Sequence, residues 1–263
     1  MSDESPAAGG PVLLDIADDV ATIRLNRPDR MNALTPAVLD LIRETFDQAV
    51  AEGARAVLLT GEGRAFCAGA DLRNERKNPD LGDALVFHYN PMIETIAGLP
   101  IPVVTAINGA AAGAGASLAL SGDIIMMARS SYLLLAFSNI GLVPDAGSTW
   151  LIAKAAGRAR VLEMALLGER MSAEEAYAAG LATRVVDDED LLPQARAIAV
   201  KLAAKPTMAL GLIRSQVRGA LAGSLTETLA IEAVHQSKAG FSEDFQEGVA
   251  AFREKRPAVF KGK

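Results

Sequence analysis

Hydrophobic and polar positions follow two different periods in the first third of the chain. From Val12 to Leu25 the pattern predicts two short strands joined at Asp18-Asp19, with β-branched residues on the second strand. Thr35 and Pro36 form a helix start signal, a capping side chain followed by proline at the first helical position. Apolar residues then recur at helical spacing, which predicts a helix over 36–50.

The middle of the chain alternates short apolar runs with helical patterns. Buried strands are predicted at 57–60, 103–107, 124–128 and 132–135. Between them the sequence predicts a helix over 84–97 and, after the turn at Asn108-Gly109, a segment of small residues over 110–117 that continues as a helix to Ser121. Alternation at short intervals favours the α/β fold class with a largely buried sheet.

Strand signals nearly vanish after Ser148. Helices are predicted at 148–156, 158–167, 172–179, 191–204, 206–221, 225–239 and 243–254. We therefore expect an α/β core over 11–200 and a C-terminal helical region over 201–263. The short, small and acidic stretch 1–10 is predicted to be a disordered tail.

Composition excludes several classes of function. The 263 residues are 50% hydrophobic and 22% charged, which is typical of a globular protein. Lys and Arg number 26 against 32 Asp and Glu, so the chain lacks the basic footprint of a nucleic-acid-binding protein. Its single cysteine, Cys67, and two distant histidines, His88 and His235, offer no disulfide and no metal-ligand spacing.

No segment of the sequence indicates a membrane or a secretory pathway. No apolar run reaches the length of about 18 residues that a membrane span needs. The N-terminus has neither the basic nor the apolar region of a signal peptide. We therefore expect a cytoplasmic protein with no membrane partner.

Two loops place small residues at the end of a buried strand. The first is Phe66–Leu72 and the second is Asn108–Ser117. The Gly113-Ala114-Gly115 segment lacks the third glycine of a dinucleotide fingerprint, because Leu118 stands there. Backbone N–H groups in such loops could form an oxyanion hole. Close packing of helix on sheet uses the same residues, so both interpretations stay open at this point.

A single carboxylate, Asp145, lies in an apolar loop over 140–147. Burial there would raise its pKa toward neutrality and suit it to general acid/base work. An aspartate after Pro144 and before a helix is also a common turn or N-cap residue, which is the alternative.

These segments together resemble the crotonase (enoyl-CoA hydratase/isomerase) superfamily. The matching motifs are Phe66-Cys67-Ala68-Gly69-Ala70-Asp71-Leu72, Asn108-Gly109 through Ala116, Leu25-Asn26-Arg27-Pro28 and the C-terminal Phe260-Lys261-Gly262-Lys263. Further stretches are most similar to its ring 1,2-epoxyphenylacetyl-CoA isomerase branch, namely Tyr89-Asn90-Pro91, Ala136-Phe137-Ser138 and Gly141-Leu142-Val143-Pro144-Asp145. The resemblance implies a spiral of ββα units with a C-terminal helical trimerisation region.

The same resemblance implies an acyl-CoA substrate, no separate cofactor because CoA belongs to the substrate, no metal, and a homotrimer or dimer of trimers. It assigns the two oxyanion N–H donors to Ala70 and Ala114. The positions of the two catalytic glutamates of the hydratases hold Ser117 and Phe137, whereas the acid position of the isomerases holds Asp145.

Other residues are candidates for substrate contact by the same resemblance. They are Ala68, Asp71, Leu72, Arg73, Gly113, Ser117, Phe137, Tyr89, Phe260 and Lys263. Several have plainer alternatives: Ser117, Tyr89 and Phe137 could pack in the core, Arg73 could belong to a solvated loop, and the last two could form an exposed tail.

The residues favour isomerisation of an acyl-CoA thioester. Moving a double bond requires removal of one proton, stabilisation of an enolate and return of the proton, and one carboxylate can perform both transfers. Addition of water usually needs a second group. We therefore predict an isomerase that shifts a double bond or isomerises a ring epoxide. An enoyl-CoA hydratase and a non-catalytic acyl-CoA-binding protein are the alternatives.

Overall fold

The computed structural model describes residues 9–73 and 80–263 of the chain. The predicted tail over 1–10 falls almost entirely outside the described residues. The strands are β1 (Val12–Ala17), β2 (Val20–Leu25), β3 (Ala56–Gly61), β4 (Ala65–Cys67), β5 (Val103–Ile107), β6 (Ala110–Ala112), β7 (Ile124–Ala128), β8 (Tyr132–Leu134), β9 (Arg170–Ser172) and β10 (Arg184–Val186).

The helices confirm the predicted positions closely. They are α1 (Pro36–Ala51), α2 (Leu81–Ala84), α3 (Asn90–Gly98), α4 (Ala114–Leu120), α5 (Ser148–Leu167), α6 (Ala173–Ala178), α7 (Leu191–Ala203), α8 (Thr207–Ala222), α9 (Leu225–Gly240) and α10 (Glu243–Glu254). A wide π-helical segment, Leu85–Tyr89, joins α2 to α3. Gly157 interrupts α5 with non-helical angles, at the break that the sequence predicted.

Successive strands enter two different sheets. The first sheet has the order β1-β2-β3-β5-β7-β10, and the second has the order β4-β6-β8-β9. The pairs β3–β5 and β5–β7 are parallel, as are β4–β6 and β6–β8. The chain thus visits the first sheet, then the second, then a helix, and repeats. This is the predicted spiral of ββα units, and the α/β fold class is confirmed.

Four short strands were missed or misassigned from the sequence. We expected a loop at β4, a direct turn into a helix at β6, and almost no strands after residue 148, where β9 and β10 lie. Each of the four contains three residues, so an alternating pattern has no room to show. Pairing with neighbouring strands holds them in place.

The C-terminal helices attach to the core through arginine side chains. Arg214 on α8 donates to the Asp123 carboxylate at 2.6 Å and to the Ile96 carbonyl at 2.9 Å. Arg55 at the start of β3 donates to the Phe260 carbonyl at 3.0 Å. These contacts tie the last helices and the tail to the first sheet. Among the helices that the structure describes, none is long and apolar enough to cross a membrane.

Candidate active site

The loop after β4 carries the first candidate N–H donor. Gly69 has φ +85°, a conformation that glycine adopts freely. Leu34 pairs with this loop on one side: its N–H donates to the Gly69 carbonyl at 2.8 Å, and its carbonyl accepts from the Asp71 N–H at 2.8 Å. Within the described residues, the intervening N–H of Ala70 makes no hydrogen bond.

The turn between β6 and α4 carries the second candidate donor. Gly113 has φ +53°, and its N–H donates to the Leu134 carbonyl at 2.8 Å. Ala114 is the first residue of α4, so its N–H has no acceptor within the helix. The tight glycine turn thus leaves this N–H free to meet a ligand oxygen.

The two loops touch each other. A Cβ atom at Gly69 would lie 2.6 Å from the Ala112 carbonyl oxygen and 3.4 Å from the Ala114 amide nitrogen. Ala70 and Ala114 both line one cavity. Two backbone N–H groups without an acceptor, from different loops, therefore belong to residues in the wall of the same cavity.

Packing accounts for other glycines of these loops. A Cβ atom at Gly109 would lie 2.2 Å from the Arg64 carbonyl oxygen, and one at Gly115 would lie 2.2 Å from the Cys67 carbonyl oxygen. Cys67 itself is fully buried, and burial raises the pKa of its thiol to about 12. Close packing is therefore confirmed at Gly109 and Gly115, and the oxyanion interpretation of the Ala70 and Ala114 N–H groups stays a prediction.

The cavity has a volume of about 860 Å³. Its walls come from residues of the segments 34–36, 68–72, 80–89, 113–114 and 136–145. Most of the lining side chains are apolar. A cavity of this size and character can enclose an apolar part of a small molecule, and Ala70 and Ala114 lie in its wall.

Asp145 is one of four aspartates in the cavity wall, together with Asp71, Asp80 and Asp83. Its Oδ1 atom is buried and has no hydrogen-bond partner in the described part of the chain. Burial raises the pKa of Asp145 to about 6. The carboxylate does not cap α5, because the N-cap residue is Gly147 and no side chain bonds there. The N-cap half of the alternative is therefore wrong, but the turn half is confirmed, because the Ser148 N–H donates to the Asp145 carbonyl at 3.0 Å across a turn.

Two buried hydroxyl groups hold the backbone of Asp145. Ser117 Oγ donates to the Asp145 carbonyl at 3.1 Å, and Ser148 Oγ donates to the same oxygen at 2.9 Å. Both serines are completely inaccessible to solvent. Ser117 does not line the cavity, so the expectation that it contacts substrate is not met. It supports the Asp145 loop from behind.

We expect Ser117→Ala to lower kcat by up to about 100-fold, because a small displacement of the carboxylate spoils its alignment with the reacting carbon. The loss of one hydrogen bond costs about 1 kcal/mol of stability. Steady-state kinetics and urea unfolding measure the two effects separately.

Ser121→Ala is the matched control for that variant. Ser121 directly follows α4, the helix that contains Ser117, and its hydroxyl donates to the Leu118 carbonyl at 2.7 Å instead of to Asp145. A similar stability change without a change in kcat is expected. Equal kinetic effects of the two variants would contradict a positioning role for Ser117.

Asp71 anchors the first loop. Its Oδ2 atom lies 3.0 Å from Arg27 Nη2, and its Oδ1 atom accepts from the Arg73 N–H at 3.3 Å. Burial acts to raise the pKa of this carboxyl, but the hydrogen bonds from Arg27 and Arg73 outweigh it and lower the pKa. Asp71 lines the cavity with its charge already paired.

The other candidate contacts divide into two groups. Ala68, Leu72, Gly113, Phe137 and Tyr89 line the cavity. Arg73 is exposed and is not part of the lining, and neither are Phe260 and Lys263. Phe260 packs near Gly248, and the Lys263 carbonyl accepts from the Asp244 N–H at 2.9 Å. Within one subunit the tail therefore lies away from the cavity.

Sequence reasoning missed four polar residues of the cavity wall, namely Thr35, Asp80, Asp83 and His88. His88 lines the cavity, and its Nδ1 atom lies 3.0 Å from Asp40 Oδ1. The two residues are 48 positions apart, so no local spacing signals the pair. Among the described residues, no group of three or more His, Cys, Asp or Glu side chains is placed to hold a metal ion.

Known proteins are similar to this chain in sequence over nearly its whole length. The sequence model of the family "Enoyl-CoA hydratase/isomerase" matches residues 15–263. The 1,2-epoxyphenylacetyl-CoA isomerase of Escherichia coli K12 is 44% identical over 258 residues, which cover 96% of this chain and 98% of that protein. A protein of Rhodobacter capsulatus named "Probable enoyl-CoA hydratase" is 43% identical over 95% of this chain and 97% of its own length.

Solved structures agree with the sequence comparison. The crystal structure of enoyl-CoA hydratase from Bacillus anthracis superposes with a TM-score of 0.91 at 33% identity, covering 97% of this chain and 100% of that one. A structure from Geobacillus kaustophilus, described as an enoyl-CoA hydratase subunit, gives a TM-score of 0.90 at 34% identity, with coverage of 97% and 99%. From the ββα spiral, the converging glycine loops and these matches, the chain belongs to the enoyl-CoA hydratase/isomerase family.

Proposed function

We propose that the protein is an acyl-CoA thioester isomerase that shifts a double bond or isomerises a ring epoxide. The observation that carries the proposal is Asp145, one desolvated carboxylate in the same cavity as the free N–H groups of Ala70 and Ala114. A raised pKa suits a group that must both accept and return a proton near neutral pH.

The proposed mechanism begins with the thioester carbonyl oxygen between the two N–H groups. For a 3-enoyl-CoA, Asp145 removes a proton from the carbon next to the carbonyl. The electron pair moves onto the carbonyl oxygen, where each N–H donor contributes roughly 3–4 kcal/mol, as in comparable oxyanion holes. The protonated carboxyl then returns the proton at the fourth carbon, which leaves the double bond between carbons two and three.

Hydration remains the main alternative, because relatives with both names have nearly equal identity to this chain. By motif, the positions of the two hydratase glutamates hold Ser117 and Phe137. Ser117 is fully buried behind the cavity, and Phe137 presents an aromatic ring to it. Neither side chain can activate water, which supports isomerisation over hydration.

Binding of acyl-CoA without turnover is the third possibility. A carrier would have no use for the Asp145 carboxylate. Because a desolvated carboxylate without a partner costs stability, its presence is best explained by a function. This argument supports an enzyme over a carrier.

Product identification across an acyl-CoA panel tests the proposal. The purified enzyme is incubated with 3-hexenoyl-CoA, crotonyl-CoA and epoxyphenylacetyl-CoA, and the products are separated and identified by mass and retention. Isomer formation from the first or third thioester, with little water addition to crotonyl-CoA, is the expected result. Predominant addition of 18 mass units to crotonyl-CoA would favour the hydratase, and unchanged thioesters throughout would favour the carrier.

We expect kcat/KM for isomerisation to rise with pH through about 6, since burial raises the pKa of Asp145 to about 6 from 3.8. The ionised carboxylate is the proton acceptor, so activity is lost as the group becomes protonated at lower pH. Initial rates between pH 5 and 8 at low substrate concentration measure this profile. A profile that stays flat down to pH 5 would contradict a role for a desolvated carboxyl.

The C-terminal helices support the predicted self-association into a homotrimer or a dimer of trimers. Several large apolar side chains are more than half exposed there, and exposed apolar surface is typical of protein–protein interfaces where it is contiguous. They include Leu225, Val234, Phe241 and Phe252. An adjacent subunit would cover them, and the predicted substrate contacts of Phe260 and Lys263 would then be made across the subunit boundary.

A further inference from the structure

His88 occupies an unusual place in the cavity wall. It belongs to the π-helical segment Leu85–Tyr89, which continues α2 into α3. Wide turns of this kind are rare and occur frequently at functional sites. Phe87, His88 and Tyr89 are consecutive, and all three line the cavity. The irregular turn therefore brings a polar ring into a mostly apolar wall.

Asp40 on α1 fixes the orientation of this ring. His88 Nδ1 lies 3.0 Å from one carboxylate oxygen and 3.1 Å from the other. Because an ionised carboxylate can only accept, Nδ1 carries the hydrogen. Asp40 is not part of the cavity lining and its side chain is 37% exposed, so the carboxylate holds the ring from outside the cavity. A carboxylate that holds a histidine in one orientation is the usual support of a functional imidazole.

The second ring nitrogen, Nε2, is left for a ligand. No hydrogen bond from it is recorded within the residues that the structure describes. The His88 side chain is only 30% exposed, and its wall segment contributes the apolar Leu85 and Phe87 beside the carboxylates of Asp80 and Asp83. In such surroundings a polar nitrogen without a partner disfavours a purely apolar ligand.

The position of the thioester carbonyl determines which part of the substrate can contact His88. In the proposed function the carbonyl oxygen lies between Ala70 and Ala114. These two residues belong to loops that are separate from the segment 85–89, which carries His88. The acyl group extends from there into the cavity, whose wall carries His88. This step rests on the proposed function, since it needs an acyl-CoA in this cavity.

We propose that His88, held by Asp40, recognises an oxygen function on the acyl group, so that the preferred substrates are oxygenated acyl-CoA thioesters. A hydroxyl group can serve either protonation state of the ring. It donates to Nε2 of the neutral imidazole, and its oxygen accepts from Nε2–H of the imidazolium. An ether, epoxide or carbonyl oxygen can only accept, from the imidazolium. A plain hydrocarbon chain leaves Nε2 without a partner.

Saturated thioesters test this inference without turnover. Dissociation constants are measured by calorimetry for unsubstituted acyl-CoAs of four to eight carbons and for the ω-hydroxyacyl-CoAs of the same lengths. We expect the wild type to bind at least one ω-hydroxy thioester about three- to tenfold tighter than its unsubstituted counterpart, the range that one hydrogen bond supplies.

Two substitutions at His88 separate the two ring nitrogens. His88→Asn keeps a donor near the place of Nδ1, so the contact with Asp40 is retained while the cavity loses Nε2. His88→Gln places its amide near the position of Nε2. The preference for the hydroxyl group should vanish in the first variant and survive in part in the second. Binding of the unsubstituted series serves as the measure of an intact cavity in both.

Each outcome decides one question. Equal binding of the two series by the wild type at every length, or a preference that His88→Asn retains in full, would overturn the role of His88 and leave the proposed function standing. Absence of binding of either series would overturn the proposed function, and this inference with it.

Discussion

Asp145→Asn is expected to lower kcat for isomerisation by about 10²- to 10⁴-fold, the range in which positioned acid/base groups contribute to catalysis. Asparagine has nearly the same shape as aspartate but cannot accept and return the proton. The dissociation constant of a saturated acyl-CoA should change only slightly, because in the proposed mechanism the backbone N–H groups of Ala70 and Ala114, and not Asp145, bind the carbonyl. Steady-state kinetics with 3-hexenoyl-CoA and calorimetry with hexanoyl-CoA measure the two quantities.

Stability measurements exclude unfolding as the cause of that loss. The pKa of Asp145 is raised by burial to about 6, so at pH 8 the native state holds an ionised carboxylate in an unfavourable environment. The neutral amide removes that cost. In the wild type the cost is absent at pH values below the pKa of Asp145 in the unfolded chain, and it grows as pH rises through the raised pKa of Asp145 in the folded state. The Tm of the variant at pH 8 should therefore equal or exceed that of the wild type.

A graded variant sharpens the test at the same position. Asp145→Glu retains the carboxyl group but moves it by about one methylene, a displacement of the size that costs up to about 100-fold in rate. Its kcat should lie between those of the wild type and Asp145→Asn. Retention of most of the wild-type isomerisation by the asparagine variant would remove Asp145 from the mechanism.

Gly69→Ala is expected to lower kcat/KM by about 10²- to 10³-fold, comparable to the loss of one oxyanion donor. The added Cβ atom would lie 2.6 Å from the Ala112 carbonyl oxygen and 3.4 Å from the Ala114 nitrogen. The first contact is too close for any real pair of atoms, so the two loops must move apart. The N–H groups of Ala70 and Ala114 then no longer converge on one oxygen.

Gly53→Ala is the matched control for Gly69→Ala. Its φ of +86° nearly equals the +85° of Gly69, but a Cβ atom there would meet nothing within 4 Å. Both variants carry the same backbone cost of roughly 1–2 kcal/mol. Urea unfolding should show similar losses of stability from that source, while kinetics should show the large loss for Gly69→Ala only. Normal kinetics of both variants would contradict the oxyanion role of the loops.

Local patterns in the sequence determined most of the regular structure. The start of α1 at Thr35-Pro36 follows from local chemistry: the Thr35 hydroxyl accepts from the Val38 N–H at 3.3 Å. Gly157 was predicted to end one helix and begin the next, and its non-helical angles separate the halves of α5. These signals are readable because each depends on residues within about one helical turn of each other.

The candidate site could be predicted in part, for a related reason. The loops over 66–72 and 108–117 carry their small residues in a dense local pattern, and Gly69 and Gly113 adopt positive φ values that few other residues tolerate. The sequence also placed Asp145 in an apolar loop. Its desolvation could only be suspected, since burial depends on segments that are distant in the chain.

By itself, the sequence determined the helices, the long strands and the glycine turns of this protein, because those depend on the conformational preferences of neighbouring residues. Only the tertiary structure decided which distant residues contact each other. It set Ser117 behind Asp145, paired His88 with Asp40, and gave the three-residue strands their sheet. Such contacts join residues tens of positions apart, and the free energy that selects them comes from packing the whole chain at once.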